Sequence, residues 1–386
     1  MGEASITHFP VRNGDTGRIR LSDGTDIVID CNITEESRDP SVKDRYDVHT
    51  HLVEEARKEN GVPHVDAFVL THPDTDHCRG FKDTFFTGAP DGFGADDKKR
   101  GLIVVDELWF TPRIFSPHEE GELAPSAKVF LREARRRRDL YLSGSPERDK
   151  PGNRLRIIGY TGSGENVGLE GIVTIPGDTI NKINRDTKQD FSFFVHAPFR
   201  EDTDSEVGER NDTSVILQAR FDIGGQRHAC LAFFGGDAGC AVWRNVLNRS
   251  EEGDLRWDLF LAPHHVSWSF FSEERHEDDP EPSESSLAML GKKRPGARVV
   301  GSCKPIKEDG DNPPNPAAAR EYKKAVGEDR FHVTSAHPDE DEPLPLVFLM
   351  SKNGPVKDSG PPSPSWRRTT QATAGAASTV RTYGRS

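Results

Sequence analysis

The chain has 386 residues, of which 33% are hydrophobic, and 51 Lys and Arg against 64 Asp and Glu give a formal charge of −13. This length allows one large domain or two ordinary ones, and the hydrophobic fraction is low for a compact globule but too high for a wholly disordered chain. No apolar run approaches the roughly 18 residues of a membrane helix, and the N-terminus lacks the features of a secretory signal. The five cysteines are scattered, which argues against a disulfide scaffold. We therefore expect a cytoplasmic protein that does not enter membranes.

Short strands alternate with turns along most of the chain. A hairpin is predicted over residues 18–30, where Ile19 and Leu21 precede the turn at Asp23-Gly24 and a second apolar run follows. Because strands dominate and helices are interspersed, we expect an α/β fold of sheets covered by helices. The other strands are predicted at residues 65–70, 102–105, 107–110, 156–158, 172–175, 214–217, 229–234, 258–261, 298–300 and 344–350.

One helix is predicted over residues 126–141, with an apolar stripe that includes Phe130 and Leu131. Its other face carries Arg132 and much of the run 135–138. These arginines have two readings: they could guide an anionic polymer, or they could be a solvated face paired with nearby acids.

The last 36 residues, 351–386, differ in composition from the rest of the chain. They contain six basic residues against Asp358 alone and are rich in Pro, Ser, Thr, Ala and Gly. Such a segment cannot bury enough apolar surface to offset its ordering entropy, so we expect a disordered basic tail. The folded domain is therefore predicted over residues 1–350.

The strongest motif follows the predicted strand 65–70 directly. His72, Asp74, Asp76 and His77 fall within six residues, and Gly80 comes soon after. Imidazoles and carboxylates crowded this closely would repel one another or leave polar groups unsatisfied unless a cation neutralised them. The motif therefore indicates a metal site at the end of a strand.

Two later segments have the same form, an apolar strand followed at once by metal-ligand types. Residues 231–234 lead through two glycines into Asp237, and residues 259–263 lead into His264 and His265. Taken alone, the Asp fits a helix cap and the His pair fits local hydrogen bonding. Together with the first motif, the three segments favour one shared centre.

These motifs in this order resemble the metallo-β-lactamase superfamily, in the branch like the hydrolase domain of the ComEC DNA-uptake protein. The resemblance covers roughly residues 5–350 and implies an αββα sandwich, with a longer helical and loop segment inserted at about 115–199. Residues 71–77 match the HxHxDH motif with Asp at the second His, residues 234–237 resemble the Gly-Asp motif, and residues 262–265 resemble the Pro-His-His motif.

The resemblance implies two divalent metal ions and assigns their ligands. His72 and Asp74 would hold one ion, Asp76 and His77 the other, and Asp237 would lie between them. His264 or His265 would complete the second site, and the other would be a candidate acid for the leaving group. Asp76, His264 and His265 are thus the candidate catalytic residues. Zinc or manganese is expected, or magnesium, since Asp74 is a harder ligand than imidazole.

The implied activity is a phosphodiesterase or nuclease that uses a metal-bound hydroxide at a two-metal site. Nucleic acid or another phosphodiester would be the partner, although the net charge of −13 opposes this at long range. Val266 stands where the branch usually has Gly, and Arg79 stands where a small or apolar residue is common. These departures leave the proposed metal ligands intact but leave the substrate open. The alternatives are a hydrolase of a lactone, phosphoester or cyclic nucleotide, and a non-catalytic binding or sensing module that keeps the fold and recruits a partner through the insert and the basic tail. The sequence does not indicate an oligomeric state.

Overall fold

The computed structural model describes residues 2–115, 123–160, 167–200, 210–274 and 281–359. Over these ranges the fold is mixed α/β, with sheets and interspersed helices, so the predicted class is confirmed. None of the helices in these ranges combines the length and the apolar character needed to cross a bilayer.

The first sheet has ten strands within the described ranges. Their order is β19-β18-β1-β2-β3-β5-β6-β7-β8, and β4 pairs with β5. From β3 through β5, β6 and β7 to β8 the strands run parallel, and the other pairs are antiparallel. The strands are β1 (Ser5–His8), β2 (Gly17–Arg20), β3 (Asp26–Ile29), β4 (Arg57–Glu59), β5 (Val62–Val69), β6 (Val104–Phe110), β7 (Arg154–Ile158), β8 (Val173–Thr174), β18 (Leu346–Ser351) and β19 (Gly354–Lys357).

The second sheet has seven strands in the described part of the chain, in the order β17-β16-β15-β14-β13-β12-β9. The pairs from β14 to β17 are parallel, so β14 and β15 end at the same edge. Its strands are β9 (Thr179–Ile180), β12 (Phe191–Ala197), β13 (Ile216–Ile223), β14 (Gln226–Phe234), β15 (Trp257–Leu261), β16 (Lys293–Gly301) and β17 (Phe331–Val333), and a separate pair is formed by β10 (Lys182–Ile183) and β11 (Asp186–Thr187).

The two sheets face each other across a shared apolar core. Ile27 and Val69 of the first sheet belong to the same buried cluster as Phe193, Leu217 and Phe234 of the second. Alternate side chains of a strand point to opposite faces, so the remaining apolar side chains of each sheet face outward and need their own cover.

Helices cover both outer faces. On the first sheet Phe68 packs with Phe81 and Phe130 of two helices, and on the second sheet Phe260 packs with Trp243 and Tyr322. Within the described ranges the α-helices are α1 (Val48–Glu55), α2 (Thr75–Cys78), α3 (Phe81–Thr84), α4 (Ala95–Arg100), α5 (Pro125–Leu142), α6 (Cys240–Arg249), α7 (Glu284–Gly291) and α8 (Pro316–Val326), and Pro263–Val266 forms a turn with left-handed backbone angles.

Two parts of the chain show how the predicted segments are joined in the structure. The strands predicted at 102–105 and 107–110 are one strand, β6, because Val104–Phe110 is buried on both faces and continues across Asp106. The segment 115–199 contains the predicted helix and the predicted strands at 156–158 and 172–175, and it contributes to both sheets: β7 and β8 extend the first sheet, and β9 and β12 extend the second.

The ordered chain continues past the predicted start of the tail. Ser351 ends β18, and a tight turn leads into β19, which pairs with β18 through residue 357. The rest of the predicted tail, from residue 360, lies outside the described residues.

Two arginines of the run on α5, Arg136 and Arg137, have partners within the fold. Arg137 is buried, and its guanidinium donates to the Glu133 carboxylate at 2.7 Å and to the carbonyl oxygens of Val105 and Arg154 at 2.9 and 3.0 Å. Arg136 also pairs with Glu133, at 2.6 Å. Arg137 therefore ties the helix to β6 and β7, Arg136 reaches Asn153 and the carbonyl oxygen of Gly152 just before β7, and both guanidinium groups are engaged within the fold.

Candidate metal centre

The three predicted segments meet at one place, where strands from both sheets end. β5 ends at Val69, just before His72, while β14 and β15 end just before Asp237 and the His264-His265 pair. Because β14 and β15 are parallel neighbours, their carboxyl ends lie together, and β5 brings the first motif from the facing sheet.

A first group of side chains, which we call the inner group, surrounds one oxygen of Asp237. Oδ1 of Asp237 lies 3.0 Å from His77 Nε2 and 3.4 Å from His265 Nε2. Asp76 Oδ2 lies 3.1 Å from the same His265 nitrogen. One ligand atom from each of these four residues lies within 4.8 Å of the others, a separation that one cation can span.

A second group, the outer group, surrounds the other oxygen of Asp237. Oδ2 lies 3.6 Å from His72 Nε2 and 3.5 Å from His264 Nε2, and Asp74 Oδ2 lies 3.7 Å from His72 Nε2. Asp237 thus presents a different oxygen to each group, so one carboxylate connects the two groups.

The structure therefore brings together all seven sequence-predicted residues and separates the two histidines that the sequence left open. His265 is buried in the inner group, whereas His264 lies in the outer group with 26% of its side chain exposed. Asp74 and Asp76, at 28% and 32% exposed, also line the open side. A substrate would approach from there.

The histidines of the first motif are oriented by residues behind them. His77 Nδ1 lies 2.8 Å from Asp30 Oδ2, and Thr71 Oγ1 donates to the same oxygen at 2.7 Å. His72 Nδ1 lies 3.2 Å from Thr71 Oγ1. A partner on Nδ1 fixes the ring so that Nε2 faces the centre, as second-layer groups do for metal-binding histidines.

The other two histidines also have a polar side chain beside Nδ1, a hydroxyl group for His264 and a carboxylate at ion-pair distance for His265. His264 Nδ1 lies 3.0 Å from Ser269 Oγ, and His265 Nδ1 lies 3.5 Å from Asp15 Oδ1. All four rings thus turn Nε2 toward Asp237 and Nδ1 away from it. Four imidazoles with the same orientation around one carboxylate are arranged for metal binding.

Sequence reasoning missed these orienting residues. For Asp30 the sequence does contain an indication, because this residue directly follows the apolar run of β3, much as Asp237 comes shortly after β14. For Asp15, Thr71 and Ser269 the sequence contains no such indication, since polar residues are common in turns and do not by themselves identify a partner.

The turn that carries the histidine pair has a constrained backbone. His264, His265 and Val266 have φ of 49°, 52° and 68°, a left-handed run that costs free energy, most of all for a β-branched residue. Packing compensates: Val266 is fully buried, Asn315 N donates to its carbonyl oxygen at 2.9 Å, and a Cβ on Gly301 would lie 2.6 Å from Val266 Cγ2. Gly301 therefore makes room for the buried side chain of Val266.

The charges at the centre indicate a missing counter-charge. Burial opposes ionisation, yet His77, His265 and His72 hold the pKa of Asp237 well below its ordinary value. Burial likewise opposes charge on His265, but Asp237, Asp15 and Asp76 raise its pKa to about 10. Protonated imidazoles here balance the charge of the carboxylates. A divalent cation would take over this role, because metal binding displaces protons from such ligands.

One atom adds an independent indication. His72 is fully buried, and its Nε2 has no hydrogen-bond partner among the described residues. Buried ring nitrogens are ordinarily satisfied, so a ligand on this atom is expected. The donor set of imidazole nitrogens and carboxylate oxygens fits divalent ions such as zinc or manganese.

Comparison with known proteins yields little beyond this geometry. No family model matches the chain, and no curated protein matches it. A crystal structure from Parabacteroides distasonis ATCC 8503, described as a "Putative metal-dependent hydrolase", is similar with 12% identity and a TM-score of 0.34, over 86% of this chain and 92% of that one. At this score the similarity assigns neither a family nor an activity.

Proposed function

We propose that the chain is a metal-dependent hydrolase with the αββα arrangement of the metallo-β-lactamase superfamily, in its ComEC-like branch. Two sheets that share a core and carry helices on their outer faces support the arrangement. The observation that carries the proposal is the convergence of four histidine Nε2 atoms on the two oxygens of Asp237, with the carboxylates of Asp74 and Asp76 beside two of these nitrogens.

Two divalent ions fit this donor set. His72, Asp74, His264 and Asp237 Oδ2 would hold one, and Asp76, His77, His265 and Asp237 Oδ1 the other. A pair of ions supplies an activated water and stabilises charge on the attacking and leaving oxygens. Thr71 and Asp30 keep the first-motif rings in place, so the site needs little rearrangement on binding.

His264 has two roles open to it. It is the most exposed of the four histidines and lies on the open side, where it can contact an ion or donate a proton to the leaving group. His264→Ala separates these roles: loss of one ion identifies a ligand, whereas loss of turnover with both ions retained identifies the proton donor. His265→Ala, which removes a buried member of the inner group, is expected to lose metal.

We propose a phosphodiester, most simply nucleic acid, as the substrate. The two-ion geometry suits a reaction in which both the attacking and the leaving group are oxygens on phosphorus. Asp74 in place of an imidazole makes the outer group harder and favours manganese or magnesium beside zinc.

The test combines elemental analysis of the purified protein with cleavage of labelled DNA and RNA under Mn²⁺ and Zn²⁺. Asp237→Asn and Asp76→Asn are expected to lower metal content and reduce cleavage to background. Asp258→Asn is the matched control, because Asp258 is a buried aspartate on β15 that pairs with Arg294 at 3.0 Å, away from the centre.

A metal-loaded wild-type protein that cleaves neither polymer contradicts the nuclease assignment. Activity on a chromogenic phosphodiester or a lactone without polymer cleavage would then identify a small-molecule hydrolase. Stoichiometric metal without turnover on any of these esters would identify a binding or sensing module.

A further inference from the structure

A second pocket lies beside the candidate metal centre. Its volume is about 530 Å³, within the usual range of ligand pockets. Its wall carries four basic side chains and a single carboxylate, from Arg12, Arg45, Arg79, Lys304 and Glu36. The lining of this pocket therefore carries an excess of positive charge, although the chain as a whole has a net charge of −13.

The pocket shares two chain segments with the metal centre. Arg79 follows His77 by two residues, and Asn13, which also lines the pocket, precedes Asp15 by two. The two segments are joined directly, since Asp15 N donates to the Asp76 carbonyl oxygen at 3.2 Å. Lys304 is fixed to the same wall because its backbone N donates to Asn13 Oδ1 at 3.1 Å.

The guanidinium of Arg79 has no evident structural role among the described residues. Arg79 is exposed, and among the described residues its guanidinium has no ion-pair partner. It occupies a position where the resembled family often has a small or apolar residue. A cation placed two residues from a metal ligand, without an internal role, is available to a substrate.

Arg12 and Arg45 are held close together in spite of their like charge. Both guanidinium groups approach the same oxygen, Asp44 Oδ2, at 3.5 Å for Arg12 and 3.1 Å for Arg45. Arg45 also lies 3.8 Å from Glu36, and Lys304 pairs with Asp311. Burial, and after it the neighbouring Arg12, lower the pKa of Arg45, while Asp44 and Glu36 act in the opposite direction.

The backbone at Arg12 is also constrained. Its φ is 65°, and its backbone N donates to Ser335 Oγ at 3.1 Å. A left-handed arginine costs free energy that a surface loop would ordinarily avoid. The constraint holds this side chain at the pocket.

We propose that this basic pocket binds a phosphate group of the substrate other than the one that is hydrolysed. The substrate would then be a polynucleotide rather than an isolated ester. This inference rests on the proposed hydrolase function and adds a second contact for the substrate. Guanidinium and ammonium groups bind backbone phosphates without reading sequence, so the contact would position a strand across the centre.

The experiment measures binding of a fluorescein-labelled phosphorothioate oligodeoxythymidylate, which resists hydrolysis, to the metal-loaded protein. Arg79→Ala and Arg12→Ala are each expected to raise Kd about five-fold at low salt. Each should also reduce the slope of log K against log[salt] by about 0.7, the value for one lost contact with single-stranded nucleic acid. Arg79→Lys should retain most of the binding, since it keeps the charge.

Arg185→Ala is the matched control. Arg185 has 53% of its side chain exposed, pairs with Asp149 and lies outside the pocket. It should bind the oligonucleotide as the wild type does. The proposal is overturned if the wild type does not bind, if the Arg79 and Arg12 variants bind as tightly as the Arg185 variant, or if Arg79→Lys binds as weakly as Arg79→Ala.

Cleavage assays separate this inference from the proposed function. Arg79→Ala should raise KM for an oligonucleotide several-fold more than KM for bis(p-nitrophenyl) phosphate, which has a single phosphate. An equal rise for both substrates overturns the pocket while the hydrolase stands. Arginine-dependent binding by a protein that hydrolyses neither substrate would refute the hydrolase and leave the phosphate pocket in place.

Discussion

At the scale of single residues, the candidate centre depends on how each imidazole is turned. A free histidine can present either ring nitrogen, and the choice is made by the partner of the other one. The Nδ1 side of each ring, which faces away from Asp237, has a polar neighbour: Asp30, Thr71, Asp15 or Ser269. The geometry of the centre is therefore fixed by residues that would not touch the metal.

Asp30→Asn tests this dependence. The amide keeps the size of the carboxylate but weakens the charged hydrogen bond to His77 Nδ1, so affinity for zinc or manganese should fall about 10- to 100-fold. Competition with a chelator of known affinity measures it. Asp258→Asn should leave metal affinity unchanged, and equal affinity in the Asp30 variant and the wild type would contradict an orienting role.

At the scale of elements, the ligands are delivered by turns that directly follow buried strands. The turn after β14 contains Gly236, whose φ is 49°. A Cβ at this position would lie 2.7 Å from Thr71 Oγ1 and 3.3 Å from His72 Nδ1. The glycine allows the second sheet to approach the first-motif histidines closely enough for Asp237 to reach them.

Gly236→Ala is expected to weaken both folding and metal binding. The left-handed φ and the clash with Thr71 should cost roughly 1–3 kcal/mol of stability, and displacement of Thr71 should lower metal affinity. Gly225→Ala, at the other end of β14, is the control: its φ is 80° with nothing within 4 Å of the added Cβ. It should lose stability through backbone strain but bind metal normally, and metal loss in both variants would contradict the explanation.

The helix α5 illustrates how an element can use charged residues structurally. Arg137 lies between the helix and the first sheet, and its donors satisfy Glu133 and two strand carbonyl groups. Breaking such a buried pair leaves an uncompensated charge.

Arg137→Ala should therefore lower the free energy of unfolding by about 3–5 kcal/mol, measured by urea denaturation. Arg132→Ala, on the exposed face of the same helix, should change it by no more than about 0.5 kcal/mol. A small effect of the Arg137 variant, together with weaker nucleic-acid binding, would instead support the guiding role.

At the scale of the whole molecule, burial of histidines makes the fold sensitive to acid. His196 on β12 packs against Phe194 and Phe233, and burial, assisted by Arg220, lowers its pKa from 6.5 to about 3. The unfolded chain binds this proton more readily than the folded one. The contribution to stability is therefore complete above pH 6.5 and is lost as the pH falls toward 3. The same direction applies to His49, His51, His332 and His337.

His196→Gln should reduce this acid sensitivity. Between pH 7 and pH 5 the wild type should lose about 2 kcal/mol through His196, because its unfolded pKa lies about 1.5 units above the lower pH. The variant cannot titrate at this position, so its loss over the same interval should be smaller by that amount. Urea denaturation at the two pH values measures the difference, and identical losses would contradict it.

The sequence by itself determined the α/β class, the strands around the three motifs, and the candidate ligand residues. These follow from local information, since an apolar run and the polar residues directly after it are adjacent in the chain. The same is true of α5, whose apolar stripe repeats over a few turns.

Only the tertiary structure decided which histidine faces which oxygen of Asp237, which residues orient the rings, and that Arg137 is internal. Each of these depends on contacts between distant parts of the chain. His77 contacts Asp30, which is 47 residues away in the sequence, and His265, which is 188 residues away. Residue spacing does not encode such distances, because the sheets must first stack and bring their strand ends to one edge.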